Sequence, residues 1–379
     1  MSTSEDVGSA KGASVRIEER LARVGIAYVT EPGDPAVSKA VADFGAEAIW
    51  EGMLQWSGQR GLKAREYRPE AVLEGGLRQG LRYLVPGDDE WPRRLTDLAN
   101  VVFRGFGGEP LGLWVKGSAR LGELADFSVG MVGSRSCTSY GERQALELAH
   151  HVSDSGVSVI SGGAFGIDAA AHRGAMSART PTVAVLANGL DEYYPAGNAG
   201  LFERICEEGL LVSELAPGEH PTRVRFLIRN RLIAALSIGT LVVEGAARSG
   251  TQNTMNWASE LGRVSMAVPG PVSSVFSYTP HELIRSGQAV LVTHGSDILE
   301  LIAPGAPEPV RPEPARRRTD GLEPAALAVY EAIPAKGSRT VGELSAKLGF
   351  SVPKLLSCLG KLEEGQLVVK NPRGAWQLC

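Results

Sequence analysis

The fold class follows from two stretches, GMVGSR at Gly130–Arg135 and SGGAFGIDAAAH at Ser161–His172. Each comes after a short apolar run typical of a buried strand, Phe127–Val129 before the first and Val157–Ile160 before the second. Because strand, glycine turn and helix-compatible sequence repeat in this order, we predict the βαβ units of a doubly wound sheet. Glycines let a ligand approach the backbone closely, and a helix N-terminus presents N–H groups to an anion. The sequence therefore predicts a phosphate-binding surface, for either a nucleotide or a nucleic acid strand.

Further strand candidates follow along the chain, separated by helical patterns. They are Thr182–Leu186, Gly209–Ser213, Thr240–Glu244, Val264–Val268 and Ala289–Val292. Strands that are apolar on both faces predict a parallel sheet with helices on each side. The expected fold class is therefore α/β, with a doubly wound parallel sheet.

Composition shifts along the chain predict its domain boundaries. Helical periodicity begins near Val15 and restarts at Asp34, a good N-cap before Pro35. Near the other end, a run rich in proline and arginine cannot form a core and predicts an extended spacer. The predicted segments are a disordered tail (1–13), an all-α domain (14–80), the sheet domain (81–302), a Pro/Arg-rich linker (303–320) and a C-terminal domain (321–379).

The C-terminal domain is predicted to be a winged helix. Thr340 and Glu343 make a T-x-x-E capping box for its second helix, and a turn at 371–374 predicts a two-stranded wing. Its third helix carries Lys354 and Lys361 as cations, followed by two glutamates. A helix that reads a DNA groove usually presents more basic and amide side chains. The pattern favours a protein-contact or regulatory role over sequence-specific DNA binding.

The composition restricts the kind of partner. Net charge is −4 over 379 residues, so affinity for nucleic acid has to come from a local basic patch. The four cysteines form no CxxC pair, which disfavours a zinc site and a disulfide framework. The sequence shows no signal peptide and no apolar run of about 18 residues that would span a membrane. We expect a cytoplasmic protein with no membrane partner and no metal.

The first glycine turn does not match a dinucleotide fingerprint. GMVGSR contains Gly130 and Gly133 but lacks the third glycine and the acidic ribose partner of GxGxxG. It does present the Ser134 hydroxyl and the Arg135 guanidinium, which can bind a phosphate in a bidentate fork. This set suits a phosphodiester, although a structural turn with a surface arginine stays an alternative.

The second glycine turn places Gly162 and Gly163 at the next position along the sheet edge. It is followed by Asp168 and His172, which lie one helical turn apart. Such a pair could act in acid–base chemistry or could fix the helix in place. Because no serine or cysteine nucleophile occurs at a matching spacing, the structural interpretation is favoured.

Positive charge is concentrated in RVRFLIRNR, which contains Arg223, Arg225, Arg229 and Arg231. A solvated helix face is one interpretation. However, the interleaved Phe226–Ile228 predicts a packed segment that holds its arginines in place. A fixed row of arginines beside glycine turns suits single-stranded nucleic acid, whose binding sites combine a basic groove with stacking platforms.

Two more loops are predicted at the same edge of the sheet. VVEGAARSGTQNT ends a strand at Glu244 and turns at Ser249, Gly250 and Thr251, and AVPGPVSS follows the next strand from Ala267. Ligands of open α/β sheets bind outside the carboxyl ends of the strands, so these loops are expected to contribute to one site.

These segments together resemble the DprA/Smf family of bacterial DNA-processing proteins. The resemblance covers DDEWPRRL, VGSRSCTSYG, SGGAFGIDAAAHRGAM, VAVLANGLDEYYPAGNAGLF, LVSELAPG, RFLIRNRLIAALS, LVVEGAARSGTQNT and AVPGPVSS, from Trp91 to Val292. It implies an extended Rossmann-like domain that binds single-stranded DNA, flanked by an N-terminal domain similar to SAM or helix-hairpin-helix modules and a C-terminal winged helix. It also implies a homodimer that protects incoming strands and loads the RecA recombinase onto them during natural transformation and recombination.

The resemblance also implies the site residues. Expected DNA contacts are Gly133, Ser134, Arg135, Gly162, Gly163, Phe165, Arg225, Arg229, Asn230, Arg231, Ser249, Gly250 and Thr251. The family's F-P-R-R-N-R is changed here to Phe226-Leu227-Ile228-Arg229-Asn230-Arg231, and Ala196 stands where many relatives carry a basic residue. These departures bear on affinity rather than on fold.

The main rival interpretation is an enzyme. A related Rossmann-like family, the nucleoside-monophosphate phosphoribohydrolases that resemble cytokinin-activating LOG proteins, carries a catalytic glutamate in a G-G-x-G-T-x-x-E loop. The comparable turn here, Ser249–Thr254, has a threonine at the glutamate position. Without that carboxylate, acid–base chemistry on a glycosidic bond has no evident agent. We therefore expect no catalytic residue and no cofactor, with nucleotide binding or such hydrolysis as the alternative function.

Overall fold

The computed structural model describes residues 15–247, 249–303 and 318–379. Its contacts divide the chain into two compact units, Met1–Pro309 and Val310–Cys379. The predicted tail at 1–13 and most of the predicted linker at 303–320 lie outside the described residues. In the parts of the chain that the structure describes, no helix combines the length and the apolar composition needed to span a membrane.

The first unit is built on a nine-stranded sheet with the order β1-β4-β8-β7-β6-β5-β9-β10-β11. A separate pair, β2 and β3, forms a small hairpin. The strands are β1 (Leu81–Leu84), β2 (Val102–Phe103), β3 (Phe106–Gly107), β4 (Leu113–Lys116), β5 (Ser128–Val132), β6 (Ser158–Ser161), β7 (Val183–Val185), β8 (Leu210–Ser213), β9 (Gly239–Val242), β10 (Val264–Ala267) and β11 (Val290–Leu291).

The strands from β5 to β11 pair with one another in parallel. Each of them lies where the sequence predicted a parallel strand. The expectation of a wholly parallel sheet is wrong at one edge, where β4 is antiparallel to both β1 and β8. Leu113, Trp114 and Val115 of β4 are all buried. Burial on both faces is therefore not confined to parallel strands, and apolar patterning alone could not give the direction of this one.

Helices cover both faces of the sheet. The helices of this unit are α1 (Ile17–Val29), α2 (Pro35–Phe44), α3 (Ala46–Leu54), α4 (Gly58–Glu66), α5 (Pro69–Arg78), α6 (Leu121–Asp126), α7 (Ser139–Asp154), α8 (Ile167–Met176), α9 (Ala199–Glu208), α10 (Arg223–Leu236), α11 (Gly250–Glu260), α12 (Tyr278–Arg285) and α13 (Gly295–Ile302). Val132 and Val242 join one core with α10 and α11, whereas Met131 and Leu241 join another with α7 and α8. This alternation along each strand is what a sheet covered on both faces requires.

Two of the helices that precede the sheet, α1 and α5, share a core with it. Val24 and Leu73 belong to the same buried cluster as Trp114 of β4 and Leu211 of β8. Asp34 caps α2 as predicted, accepting hydrogen bonds from the N–H groups of Ala36 and Val37. The boundary at residue 80 stays a prediction, since the helical segment belongs to the same compact unit as the sheet.

The second unit contains helices α14 (Pro324–Ala332), α15 (Val341–Leu348) and α16 (Val352–Glu364), followed by β12 (Val368–Lys370) and β13 (Trp376–Leu378). The predicted capping box is present: Glu343 Oε2 accepts from the Thr340 N–H at 2.7 Å, and Thr340 Oγ1 accepts from the Glu343 N–H at 3.3 Å. The two strands pair antiparallel. The elements lie where the sequence predicted them, and their assignment as a winged helix stays a prediction.

Two neighbouring glycines of α5 test how the helical segment packs on the sheet. A Cβ at Gly76 would lie 2.6 Å from Cζ3 of Trp114, whereas a Cβ at Gly75 would have only Arg78 Nη2 near it, at 3.8 Å. We expect Gly76→Ala to lower the free energy of unfolding by about 1–3 kcal/mol through overpacking. The matched change Gly75→Ala is expected to be neutral or to raise stability by up to about 1 kcal/mol, from helix propensity.

Urea titration followed by tryptophan fluorescence measures both effects. Equal stabilities of the two variants would show that α5 does not pack on Trp114 in solution.

Candidate nucleic-acid interface

A groove opens where the strand order of the sheet reverses. From β5 the chain proceeds to β6, β7 and β8 in one direction, whereas β9, β10 and β11 extend from the other side of β5. The loops after β5 and β9 therefore diverge, and ligands of open α/β sheets bind in the crevice formed at such a point. The groove has a volume of about 650 Å³ and is lined by Val132, Gly133, Ser134, Arg135, Ala164, Asp168, Tyr194, Arg223, Phe226, Leu227, Arg229, Asn230, Ile233, Ser249, Gly250, Thr251 and Thr254.

Glu244 fixes the loop that follows β5. Its backbone carbonyl accepts from the Ser134 N–H at 2.8 Å, and its carboxylate accepts from the N–H and the hydroxyl of Thr138 at 2.8 and 2.6 Å. Gly133 is required here because a Cβ would lie 2.5 Å from Cγ1 of Ile167. The loop is thus held at both ends, and Arg135 projects from it as an exposed side chain.

An aromatic ring lies beside two cations on the wall formed by α10. The ring centroid of Phe226 is 4.8 Å from Cζ of Arg135 and 5.9 Å from Cζ of Arg229. The ring of Tyr194 is tilted against Phe226 at a centroid distance of 5.9 Å. Guanidinium groups over an aromatic face are held by cation–π attraction, so the ring and the charges are fixed together. The combination can stack an unpaired base and bind its phosphate.

Arg229 is buried beneath this wall. It donates to the carbonyl of Gly162 at 2.6 Å and to the carbonyl of Val185. Burial lowers the pKa of Arg229 to about 10, although the nearby Asp168 carboxyl opposes the shift. Burial also raises the pKa of Asp168, against the favourable charge of Arg229. At neutral pH Arg229 therefore remains charged and supplies positive potential to the groove from below.

A third set of residues closes the groove at α11. Ser249 is the N-cap residue of this helix, and Asn230 of α10 donates to the carbonyl of Gly250 at 3.4 Å and to Oδ1 of Asn253 at 3.2 Å. The start of α11 is thus tied to α10. Ser249, Gly250 and Thr251 at this helix N-terminus line the groove, and the free N–H groups of a helix N-terminus favour anions.

The structure brings most of the expected site residues together. Those in the groove are Gly133, Ser134, Arg135, Arg229, Asn230, Ser249, Gly250 and Thr251. Gly162 and Gly163 are buried below it, where a Cβ would lie 2.6 Å from Arg229 Nη1 and 2.6 Å from Phe202 Cε1 respectively. Phe165 lies beside the groove, exposed, with its ring against Gly197. The two glycines therefore make room for packing rather than for a ligand.

Arg225 and Arg231 are not placed at the groove. The sequence assigned both to DNA contact, but Arg231 has a side-chain exposure of 1% and pairs with the buried carboxylate of Glu214. Arg225 donates to both carboxylate oxygens of Glu31 at 3.1 Å and to Glu219 at 2.8 Å. Helical spacing alone does not explain the difference, because Arg225 lies four residues before Arg229 on the same face of α10. The difference comes from their tertiary partners, since Glu31 and Glu219 hold Arg225 and Glu214 holds Arg231.

Comparison with known proteins identifies the family to which this chain is similar. A family model described as DNA recombination-mediator protein A matches residues 82–303. A Mycobacterium tuberculosis relative named for DNA processing, DprA, is 43% identical over 314 residues, which cover 81% of this chain and 79% of the relative. The chain belongs to the DprA family.

Solved structures of DprA proteins have the same fold. An X-ray structure of DNA processing protein A from Streptococcus pneumoniae matches with a TM-score of 0.62 and 29% identity, covering 74% of this chain and 96% of that one. A Helicobacter pylori DNA processing protein A, described for its single-stranded DNA binding mode, matches in fold with a TM-score of 0.50 and 24% identity, covering 58% of this chain and 94% of that one. The expected DprA fold is thus confirmed as a parallel-dominated α/β sheet with flanking helices.

The Asp168–His172 pair does not have the geometry of acid–base machinery. His172 Nδ1 is 2.8 Å from the hydroxyl of Thr182, whereas Asp168 accepts from the Ala164 N–H at 3.4 Å. Burial, with a smaller contribution from Arg229, lowers the pKa of His172 from 6.5 to about 3. The imidazole is therefore neutral and fixes α8 against β7, as the structural interpretation expected.

Sequence reasoning missed the role of three groove residues. Tyr194 and Asp168 were not assigned to binding, and Phe226 was noted only for packing. The signal for Phe226 was available, since it follows Arg223 by three residues and precedes Asn230 by four, which places all three on one helix face. Tyr194 reaches the groove through a contact with Phe226 of α10, which is distant in the sequence. No local sequence pattern predicts such a contact.

The buried pair of Arg231 and Glu214 allows a test of Arg231. Arg231→Ala leaves a buried carboxylate without its partner, so we expect a loss of about 3–5 kcal/mol in the free energy of unfolding. Arg223→Ala removes an exposed arginine from the same helix and should change stability by no more than about 0.5 kcal/mol. Urea unfolding midpoints measure both. A loss for Arg231→Ala as small as that for Arg223→Ala would contradict the buried ion pair.

The neutral state of His172 predicts a pH dependence of stability. The unfolded chain protonates this imidazole as the pH falls through 6.5, whereas the folded protein keeps it neutral down to about 3. The unfolded state binds more protons between these values, so the free energy of unfolding falls as the pH falls across that window. Urea midpoints at about pH 7 and about pH 5 should differ more for the wild type than for His172→Gln. The same difference in both proteins would mean that His172 is not buried in its neutral form.

Proposed function

We propose that the groove binds single-stranded DNA. The observation that carries the proposal is the ring of Phe226 beside two guanidinium groups, with Cζ of Arg135 and Cζ of Arg229 4.8 and 5.9 Å from the ring centroid, at the point where the strand order reverses. An aromatic face stacks any unpaired base, and adjacent cations bind the phosphates, which is the combination used for single strands. Net charge is −4, so this local cluster has to provide the attraction.

A single strand fits the groove better than a duplex. Phe226 is partly buried in the wall and Tyr194 stands beside it, so a base must leave its stack to reach the ring. Bases of a duplex are paired and stacked, and unstacking them costs a few kcal/mol. The phosphates of the strand can then contact the exposed Arg135 and Arg223 and the first turn of α11. The expected contacts with Ser134, Asn230 and Ser249–Thr251 belong to this arrangement.

The wider role that we propose is supported by the family of the chain. We infer a DNA-processing protein that protects incoming single strands and loads the RecA recombinase during DNA uptake, natural transformation and recombination. A homodimer acting in the cytoplasm is part of the same proposal. Family membership and the single-stranded DNA binding mode described for the Helicobacter pylori protein support it. In the second unit, α16 exposes Val352 and Leu356, and Lys361 pairs with Glu323, which favours protein contact over a DNA-reading surface.

A nucleotide-processing enzyme is the second candidate, and one observation favours it. The carboxyl of Asp168 lines the groove, and burial raises its pKa, a property typical of catalytic acids. Incubation of the purified protein with AMP tests this function. Release of free adenine would support a phosphoribohydrolase, whereas unchanged AMP together with oligonucleotide binding would support the DNA-binding function.

Arg135 provides the sharpest mutational test. Arg135→Ala should weaken binding of labelled oligo-dT by about 1–3 kcal/mol, as expected for one charge-assisted phosphate contact. The slope of log affinity against log salt should fall by about 0.7, the value for one phosphate of a single strand. Phe226→Leu should weaken binding by a similar amount without changing the slope, because it removes stacking and no charge. Fluorescence anisotropy at several salt concentrations measures both quantities.

The matched control is Arg78→Ala, which removes an exposed arginine from α5, outside the groove. Its affinity should equal that of the wild type. An Arg135→Ala protein that is folded and binds like the control would remove the loop after β5 from the site.

A further inference from the structure

A second exposed aromatic surface lies along the same edge of the sheet, outside the groove. Tyr140 in the first turn of α7 is 38% exposed, and Tyr278 at the start of α12 is 53% exposed. Arg143, one turn after Tyr140, is exposed as well. We call Tyr140, Arg143 and Tyr278 the tyrosine surface. The proposed function does not use any of these residues.

The ring of Tyr140 is held in place. Its hydroxyl donates to the carbonyl of Pro269 at 2.6 Å. A Cβ at Gly270 would lie 3.9 Å from Cε1 of Tyr140 and 2.3 Å from Oγ of Ser277, the residue that precedes Tyr278. Tyr140 and the start of α12 therefore meet at Gly270. A ring that is fixed and still exposed can stack a planar partner with little further loss of side-chain entropy.

The tyrosine surface continues the wall of the groove. The loop that carries Ser134 and Arg135 leads through Thr138 directly into α7, and Glu244 holds it at Ser134 and at Thr138. The chain between Arg135 and Tyr140 spans at most roughly 18 Å, at 3.6 Å for each residue. A strand that leaves the groove at Arg135 therefore has at most this distance to cover before it reaches Tyr140.

Charge on the tyrosine surface suits a phosphate backbone. Arg143 lies three residues after Tyr140 on α7, so both side chains share one helix face. Among the described residues, Arg143 forms no ion pair, whereas its neighbour Glu142 is 3.6 Å from Arg173. Glu244 is buried and bound to Thr138. The cation beside the ring thus has no ion-pair partner in the part of the chain that the structure describes, and the same holds there for Arg135 beside Phe226.

We propose that a single strand bound in the groove continues onto the tyrosine surface, where a base stacks on Tyr140 and a phosphate contacts Arg143. This inference rests on the proposed function and extends it to longer strands. Val272 and Val275, 94% and 70% exposed in the loop before α12, provide apolar contact beside the rings. Continuity with the groove and the unpaired cation favour nucleic acid as the occupant over a second copy of the chain.

Strand length separates the tyrosine surface from the groove. Two labelled oligo-dT probes are used with the full-length protein, one of about six nucleotides that fills the groove and one of about twenty that extends beyond it. Tyr140→Leu and Arg143→Gln should each weaken binding of the long probe by about tenfold and leave the short probe within about twofold. Tyr140→Phe keeps the ring and should bind the long probe nearly as well as the wild type. Arg135→Ala should weaken both probes.

Each outcome decides the proposal. If Tyr140→Leu and Arg143→Gln bind the long probe like the wild type while Arg135→Ala weakens both probes, the inference is overturned and the proposed function stands. If the wild type binds neither probe, the proposed function fails, and the inference fails with it. Sedimentation of the same variants without DNA provides a further decision: dissociation of an oligomer by Tyr278→Leu would assign the tyrosine surface to contacts between copies and would overturn the proposal.

Discussion

The groove depends on one buried guanidinium. Arg229 lies on α10 and donates to the carbonyl of Gly162, just after β6, and to the carbonyl of Val185 at the end of β7. Asp168 on α8 lies close enough to stabilise its charge. A single side chain thus joins the helix that forms the groove wall to the carboxyl ends of two strands. Burying a charge is costly unless the charge is paired and hydrogen-bonded. Arg229 finds its partners only in this arrangement, which therefore fixes the position of α10 relative to the sheet.

The position of α10 then decides which of its residues meet a ligand. Phe226 and Arg223 face the groove, while Arg225 is held by Glu31 and Glu219 and Arg231 by Glu214. The same helix therefore binds on one side and anchors the N-terminal helical segment on another, since Glu31 lies between α1 and α2. The glycines have matching roles: Gly162 makes room for Arg229, and Gly133 for Ile167.

Sequence patterns predicted the parts of the structure that local chemistry determines. Apolar runs correctly predicted the parallel strands. Asp34 and Thr340 correctly predicted where two helices begin, because capping acts within a few residues. Apolar runs did not give the antiparallel direction of β4, because buried strands look alike in either direction. Nor did four arginines in nine residues amount to one basic surface, since helical geometry spreads them around the axis. The pairing of Arg231 with Glu214, and the approach of Tyr194 to Phe226, depend on the tertiary fold.

The central claim is that this groove selects unpaired nucleic acid. The measurement that tests it most directly is an anisotropy titration of a labelled oligo-dT and of a duplex of equal length, at low and at physiological salt. The account predicts tighter binding of the single strand at both salt concentrations, with an affinity that decreases as salt increases because phosphates are neutralised by arginines. Equal or tighter binding of the duplex would contradict it, since a paired base cannot reach the ring of Phe226.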